Sequence, residues 1–536
     1  MNFYPRQLLR RDSFFSLDGL WTLNGTSIMV PYCPESPMSG YSGEITEELE
    51  YRKTFSLPDN FVKQNDKVVL HFQAVDQVCE VYLNEQYLGK NEGGYLPFAI
   101  DITEYLLAEN DLVVKVRDNL SDFYPYGKQT DKPHGMWYTK VSGIWQSVWI
   151  EAYDRQGIDD LVIKATDHSV TMHIESQSNL FRVSFDGFTQ EFTEHDILIE
   201  FENPHTWSPD DPYLYEIKIE TLHDKVYSYF GLREVTVRNG IIYLNESPLF
   251  MSGLLDQGYY PEGILTATAE QIEKDIRNIK DLGFNTLRKH IKIENDAFYY
   301  YCDKYGILVL QDFVNSGKYS YYRDSVIPTI GFIRSRKPVT DKARYEFFVD
   351  QAQKTIKLLQ GHPCLIGYTI YNEGWGQQAA SDVYDILKPL DPNRLFDSTS
   401  GWFWDDHSDF DSYHIYFRKK VLEGKEKLLL LSEFGGYARS IKGHVDENQK
   451  TYGYGNMESE FALTEHIKNL FQGMVIPSIS NGLVGCIYTQ LSDVEGEING
   501  LYTYDREVCK VNAKEIRELN REVYMTFYEY VRVKKQ

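Results

Sequence analysis

The chain has 536 residues, 42% hydrophobic and 25% charged, which suits about three packed domains and excludes a disordered chain. Its formal net charge of −24 repels phosphate backbones, so nucleic acid is not an expected partner. No run approaches 18 consecutive apolar residues, and this excludes a helical membrane span.

The first stretch, residues 1–19, carries Arg6, Arg10 and Arg11 but no apolar run behind them, so it does not read as a secretory signal. The six cysteines (Cys33, Cys79, Cys302, Cys364, Cys486 and Cys509) are irregularly spaced, with no Cys-x-x-Cys pair. That spacing points to free thiols rather than a zinc site or a disulfide framework, and a cytoplasmic location is expected.

Residues 1–152 read as antiparallel β. Short alternating runs such as "KVVLHF", "CEVYLNEQYLGK", "DLVVKVRDN" and "QSVWIEA" are separated by turn residues, the pattern of a jelly-roll-like β-sandwich. Residues 153–235 continue in a shorter unit, with "DLVIKAT", "SVTMHIES", "LFRVSFDG" and "YEIKIETL" as strands of a small immunoglobulin-like sandwich. Within residues 236–536 the period changes, and from about residue 248 apolar strand-like runs alternate with amphipathic helical stretches.

Eight strand candidates follow: "PLFMSGLL", "NTLRKH", "GILVLQDF", "CLIGYTIYNE", "RLFDSTSG", "DSYHIYF", "LLLLSEFGG" and "LVGCIYTQLSD". Strong helices are predicted over residues 267–282, 342–360, 457–480 and 511–531, weaker ones near 295–305 and 377–388, and a short connection without a regular helix between strands five and six. Eight such units match a (β/α)₈ TIM barrel. The competing open, doubly wound sheet carries a Gly-rich nucleotide turn after strand one, and "SGLLDQGYYPEG" lacks it.

Barrel active sites lie at the C-terminal ends of the strands. Strand two ends at Arg288 and His290, strand three at Asp312 and strand four at Asn372 and Glu373. Strand six carries Tyr413, His414 and Tyr416, strand seven ends at Glu433, and strand eight runs out through Tyr488 and Gln490 to Asp493. Glu373 and Glu433 each follow an apolar strand, where an ionised carboxylate has a desolvation cost unless the site uses it. Two carboxylates flanking one bond are what glycoside hydrolysis needs, and their separation decides between retention and inversion.

"GYTIYNEGWGQ" resembles the acid/base motif of glycoside hydrolase family 2, which includes β-galactosidases, β-glucuronidases and β-mannosidases, and "LLLSEFGGY" resembles its nucleophile strand. "DVEGEINGLYTYDR" resembles its strand-eight segment, "SLDGLWTLNG", "YRKTFSLP" and "VSGIWQSVWIEAY" its N-terminal sugar-binding sandwich, and "WSPDDPYLYEI" and "FGLREVTVRNGIIYLNESPLFMSG" its junction into the barrel. The resemblance covers nearly the whole chain. It implies a retaining exo-β-glycosidase with Glu373 as acid/base and Glu433 as nucleophile. It also implies that Asn372 binds the sugar 2-hydroxyl, that Arg288 supports the nucleophile, and that Tyr413 or Tyr416 hydrogen-bonds it.

His290, Asp312, His414, Trp402 (paired with Trp404 as a sugar platform), Tyr488 and Glu497 complete the expected substrate contacts. Two departures from the family pattern touch the substrate pocket. Ile291 stands where many members have a histidine, with His290 or Lys292 as its replacement, and Tyr488 stands for a strand-eight tryptophan.

Glucuronidases of the family bind the sugar carboxylate with an Asn-x-Lys pair, whereas the corresponding "EGEING" here presents Glu495 and Glu497, which would repel a uronate. A neutral sugar is therefore expected, β-galactoside first, with β-galactofuranoside, arabinoside and β-glucuronide as alternatives. The alternative from another class is a carbohydrate-binding protein on an inactive barrel, and transglycosylation would use the same intermediate. No cofactor is required by this chemistry. Some family members bind Mg²⁺ or Na⁺, for which no ligands are assigned here, and family members often form homo-oligomers.

Overall fold

The computed structural model describes residues 3–329, 337–416, 418–445 and 449–534. Two sheets build the first sandwich. One has six strands, in the order Thr26–Val30, Gly19–Leu23, Glu48–Phe55, Asn110–Arg117, Val78–Leu83 and Gln86–Glu92. The other has four: Phe14–Ser16, Val148–Asp154, Asp66–Phe72 and Phe98–Asp101. Period-two alternation gives each strand one apolar face, so Leu49, Tyr51, Val68, Leu70, Val114 and Ile150 meet in one core. The hairpin between the first two six-sheet strands turns on Asn24 and Gly25, both at positive φ (48° and 79°), the pair that a two-residue turn of matching twist requires.

The second unit pairs a three-stranded sheet (Ile158–Ala165, Ser169–Ser176, Asp196–Glu200) with a four-stranded one (Phe188–Phe192, Phe181–Phe185, Tyr215–Glu220, Lys225–Phe230). Val170, Ile174, Val183, Ile217 and Phe230 fill the space between them. A three-stranded sheet over Val235–Arg238, Ile241–Leu244 and Ser247–Leu249 follows, and its Ile242, Leu244 and Leu249 join the apolar cluster of the barrel.

The barrel strands are β1 (Met251–Asp256), β2 (Thr286–Lys289), β3 (Leu308–Asp312), β4 (Leu365–Asn372), β5 (Leu395–Ser400), β6 (Phe410–Ile415), β7 (Leu428–Gly435) and β8 (Leu483–Thr489). All eight sequence-predicted strands form, and they pair in parallel in the order β5-β4-β3-β2-β1-β8-β7-β6. The seam between β5 and β6 has no ladder, and it is here that the sequence predicts a connection without a helix. Phe417, the last residue of the predicted sixth strand, lies outside the described residues.

The longer helices are α1 (Ala269–Asp281), α2 (Asp296–Tyr305), α3 (Lys342–Leu359), α4 (Ala380–Leu387), α5 (Glu460–Leu470) and α6 (Ala513–Lys534). Thr268 caps α1 by accepting from Gln271 N (3.2 Å), while the Gln271 side chain accepts from Thr268 N (2.9 Å). Ile272, Ile276 and Ile279 then repeat at helical spacing on its buried face. The long helix predicted over 457–480 is interrupted. Beyond α5, Phe471–Val475 forms a π-turn before a last turn over Ile476–Ile479. Pro477 explains the change, because it has no N–H to donate and its ring crowds the preceding turn.

The first sandwich lies against the mouth of the barrel. Tyr95, Tyr126, Trp137, Tyr138 and Trp145 form one buried cluster with Tyr259, Ile291, Ile293 and Trp375. Trp137 packs edge-on to Trp375 (5.0 Å between ring centres), and Tyr126 N donates to Asn315 O (3.1 Å). The six cysteines are unpaired, and no helix among the described residues is long and apolar enough to cross a membrane.

Candidate active site

β4 and β7 lie on opposite walls of the ring, and each delivers a carboxylate to its mouth. Glu373 follows the last residue of β4 and takes a left-handed backbone (φ 54°), held by donation from its N–H to Ser400 O of β5 (2.9 Å). For a residue with a side chain that conformation costs about 1–3 kcal/mol, strain of the kind that clusters at active sites. Glu433 sits within β7 and is 4% exposed.

His414 of β6 bridges the two. Its Nδ1 is 2.6 Å from Glu373 Oε1 and 3.6 Å from Glu433 Oε2. A carboxylate oxygen of each glutamate and a nitrogen of His414 all lie within 4.8 Å of one another.

Arg288 of β2 organises the floor beneath them. It donates from Nη1 to Glu433 Oε1 (3.0 Å), from Nε to Asp312 Oδ1 (2.9 Å) and from Nη2 to Asn372 Oδ1 (2.8 Å). Asp312 Oδ2 in turn lies 2.8 Å from His290 Nδ1. Of the two strand-six tyrosines, Tyr416 donates its hydroxyl to Glu433 Oε2.

Burial alone would push the Glu433 carboxyl up. The charges of His414, Arg288 and His290 and the Tyr416 hydrogen bond outweigh it, bringing Glu433 down to about 2. Glu433 is therefore ionised throughout the neutral range. Asp312 is also held below the usual carboxylate range, because Arg288 and His290 overcome its burial. Burial pushes His290 below the ordinary histidine value, against the opposing pull of Asp312 and Glu433.

A cavity of about 270 Å³ opens over these groups. Of the sequence-predicted residues, Asn372, Glu373, Glu433, His290, Trp402, Tyr416 and Glu497 line it. Arg288, Asp312 and His414 stand behind that wall and act through the residues they touch.

Two predicted contacts are corrected. Tyr413 and Tyr488 do not line the cavity, because period-two alternation turns them to the outer face of their strands while His414, Tyr416 and Thr489 take the inner one. Tyr413 packs on Trp404 (5.3 Å), and Tyr488 packs on Phe434 (5.6 Å) and is 1% exposed. Trp404 shares no wall with Trp402, so the predicted two-tryptophan platform reduces to Trp402.

His290, not Lys292, faces the cavity beside Ile291. Lys292 is buried elsewhere, donating to Glu294 (2.6 Å), Gly258 O (2.7 Å) and Leu265 O (2.8 Å). Within the acidic segment after β8, Asp493 pairs with Lys510 (2.5 Å) and Glu495 accepts from Thr139 N (2.9 Å). Glu497 alone reaches the cavity, accepting from the Tyr138 hydroxyl and from Asn499 Nδ2 (2.8 Å).

Residues 40–184 match the model described as "Glycosyl hydrolases family 2, sugar binding domain", residues 154–233 match "Glycosyl hydrolases family 2", and residues 235–459 match "Glycosyl hydrolases family 2, TIM barrel domain". The chain belongs to glycoside hydrolase family 2.

Among relatives of this family 2 chain, a β-galactosidase of Thermoanaerobacter pseudethanolicus is 29% identical over 297 residues, 49% of this chain and 39% of the relative. A β-galactosidase of Oenococcus oeni is 23% identical over 433 residues, 72% of this chain and 39% of the relative. The chain thus spans about two fifths of the length of these relatives. Among solved structures, the β-D-glucuronidase of Dictyoglomus thermophilum superposes with a TM-score of 0.77 at 20% identity, covering 97% of this chain and 98% of that one. A Ruminococcus gnavus β-glucuronidase gives 0.74 at 18% identity, covering 97% and 99%. At these identities the likeness to solved structures is one of fold.

Several cavity residues of this family 2 chain carry no signal in the sequence. Lys128 and Met136 come from a loop of the first sandwich, Gln257 from the turn after β1, and Tyr452 and Tyr454 from the long connection after β7. Glu373, His414 and Glu433 also have the spacing of a divalent-ion site, but the Arg288 guanidinium already pairs with Glu433 and opposes a second cation there. His444, Asp505 and Glu507 form a second such group at the surface.

Proposed function

We propose that the chain is a retaining exo-β-glycosidase that removes a neutral terminal sugar, β-galactoside first, within domains spanning residues 1–152, 153–235 and 236–536. One observation carries this reading: Glu373 and Glu433 bring carboxylate oxygens within 4.8 Å of each other across the mouth. That is the close spacing of retaining enzymes, whose carboxyls stand ~5–5.5 Å apart, and leaves no room for the water that an inverting pair holds at ~6.5–9.5 Å.

In the first step an ionised Glu433 oxygen attacks the anomeric carbon while Glu373 gives its proton to the leaving oxygen, so the glycosidic bond breaks as a glycosyl ester forms. In the second, Glu373 takes a proton from water, which attacks the same carbon and releases Glu433. Tyr416 and Arg288 keep the nucleophile ionised and aimed, and Asn372, fixed by Arg288, faces the sugar at the same floor.

The neutral-sugar preference rests on three glutamates lining one cavity, Glu373, Glu433 and Glu497, which disfavour a fourth carboxylate. β-Glucuronide is the second reading, carried by Lys128, the one lysine or arginine among the described residues of that wall. A panel of nitrophenyl β-galactoside, β-galactofuranoside, arabinoside and β-glucuronide, read by initial rate, ranks these. Turnover of the glucuronide without the galactoside would overturn the preference, and full activity in Glu433→Gln would overturn the glycosidase reading itself.

A further inference from the structure

Lys128 belongs to the first sandwich, yet it lines the cavity that holds Glu373 and Glu433. It is 8% exposed and, among the described residues, makes no side-chain hydrogen bond or ion pair. Its Nζ stands 5.5 Å from the centre of the Trp137 ring. The stem is buried while Nζ, which has no protein partner among the described residues, still reaches the cavity, so an oxygen bound there would complement it.

The backbone holds this side chain in place. Gly127 has φ 64°, and a Cβ there would lie 2.9 Å from the Tyr95 hydroxyl and 3.0 Å from Ile291 O, so only glycine lets the loop press this closely on the end of β2. Gly127 N donates to Asn315 O (3.3 Å), and Lys128 O accepts from Tyr138 N (2.9 Å). The next residue, Gln129, donates to Asp76 Oδ2 (2.9 Å) and accepts from Val141 N (2.6 Å).

The wall near Lys128 is polar and underused. Glu497 feels its charge, which acts with the Tyr138 and Asn499 hydrogen bonds against the upward push of burial. Among the described residues, Gln257 Oε1 is buried without a partner and His290 Nε2 has no hydrogen bond.

We propose that Lys128 is a specificity-determining residue of the sugar subsite: its ammonium donates to a hydroxyl oxygen of the terminal sugar while Glu497 accepts from a hydroxyl of the same ring. Donor and acceptor together grip a neutral polyol, and Glu497 makes the same place hostile to a carboxylate. This rests on the glycosidase reading above.

The test uses the full chain and two variants, Lys128→Met, which keeps the aliphatic stem, and Lys128→Arg. Each is assayed on nitrophenyl β-galactoside, its monodeoxy analogues and nitrophenyl β-glucuronide, with a thermal melt to confirm folding. A hydrogen bond from a charged donor predicts a fall in kcat/KM of roughly 10- to 100-fold for Lys128→Met on the galactoside. For the one deoxy analogue that lacks the contacted hydroxyl, wild type and Lys128→Met should agree within about threefold, because the contact is already gone. The pH profile should keep its shape, since neither catalytic carboxylate is touched, and Lys128→Arg should recover part of the loss.

An equal loss on every deoxy analogue would overturn the proposal, since a merely structural role produces that pattern. So would a loss confined to the glucuronide, which would make Lys128 a carboxylate reader. Activity surviving in Glu433→Gln would instead remove the glycosidase reading, leaving the two failures distinct.

Discussion

Tyr416→Phe isolates one of the contacts that lower Glu433, the proposed nucleophile, beside the larger influence of His414, Arg288 and His290. The change removes one hydroxyl and keeps the ring that packs 5.1 Å from Tyr454, so the cavity wall survives. The lost interaction is a hydrogen bond to an ionised carboxylate, a class worth ~1.5–3 kcal/mol, or roughly one to two pKa units at 1.36 kcal/mol each. Glu433, now at about 2, should therefore rise to roughly 3–4. The nucleophile works only when ionised, so activity is lost as pH falls through this value.

The assay is kcat/KM against pH from about 3 to 8 on the best nitrophenyl substrate. The wild type should stay flat to the lower end, and the variant should gain an acid limb near pH 3–4. Its kcat/KM on the plateau should fall by roughly 10- to 100-fold, because the hydroxyl also steadies the attacking oxygen. An acid limb identical in both proteins would refute the argument that this hydroxyl lowers Glu433.

Other consequences are as direct. Glu373→Ala should lower turnover by about 10²–10⁴ on glycosides with poor leaving groups and far less on nitrophenyl ones, which leave without a proton; equal losses would remove Glu373 as the acid. Arg288→Met leaves Glu433 and Asp312 buried without their cation and should destabilise the fold by about 3–5 kcal/mol, read as a fall in melting temperature near neutral pH. Asp397 is pushed up to about 6 by burial, and its Oδ2 has no partner among the described residues. A carboxyl raised on folding favours the folded state below its unfolded value and loses that advantage as pH rises through about 6. Asp397→Asn should accordingly raise the melting temperature more at pH 8 than at pH 5, and the reverse order would contradict the assignment.

The barrel was legible because its parallel strands are buried on both faces and so read as near-continuous apolar runs, "LLLLSEFGG" being the plainest. The proposed catalytic pair was legible for the same reason, as each glutamate interrupts or ends such a run. Tyr413 and Tyr488 were misplaced because a continuous run hides which residue faces in, and only the alternation counted from an inward neighbour, His414 or Thr489, assigns the face. The break in the last long helix lay in a single proline, Pro477, inside an otherwise periodic stretch. Lys128 could not be found from strand ends at all. It comes from a sandwich loop 245 residues before Glu373, and only the packing of Gly127 against Ile291 brings it to the mouth.

The central claim is that Glu433 forms a covalent bond with the sugar. Incubating the full chain with the activated 2-deoxy-2-fluoro form of its best substrate, followed by peptide mass spectrometry, tests it directly. One fluorosugar per chain on the peptide containing Glu433, absent in Glu433→Gln, is the predicted result. An adduct on another residue, or none while turnover proceeds with inversion at the anomeric carbon, would contradict it.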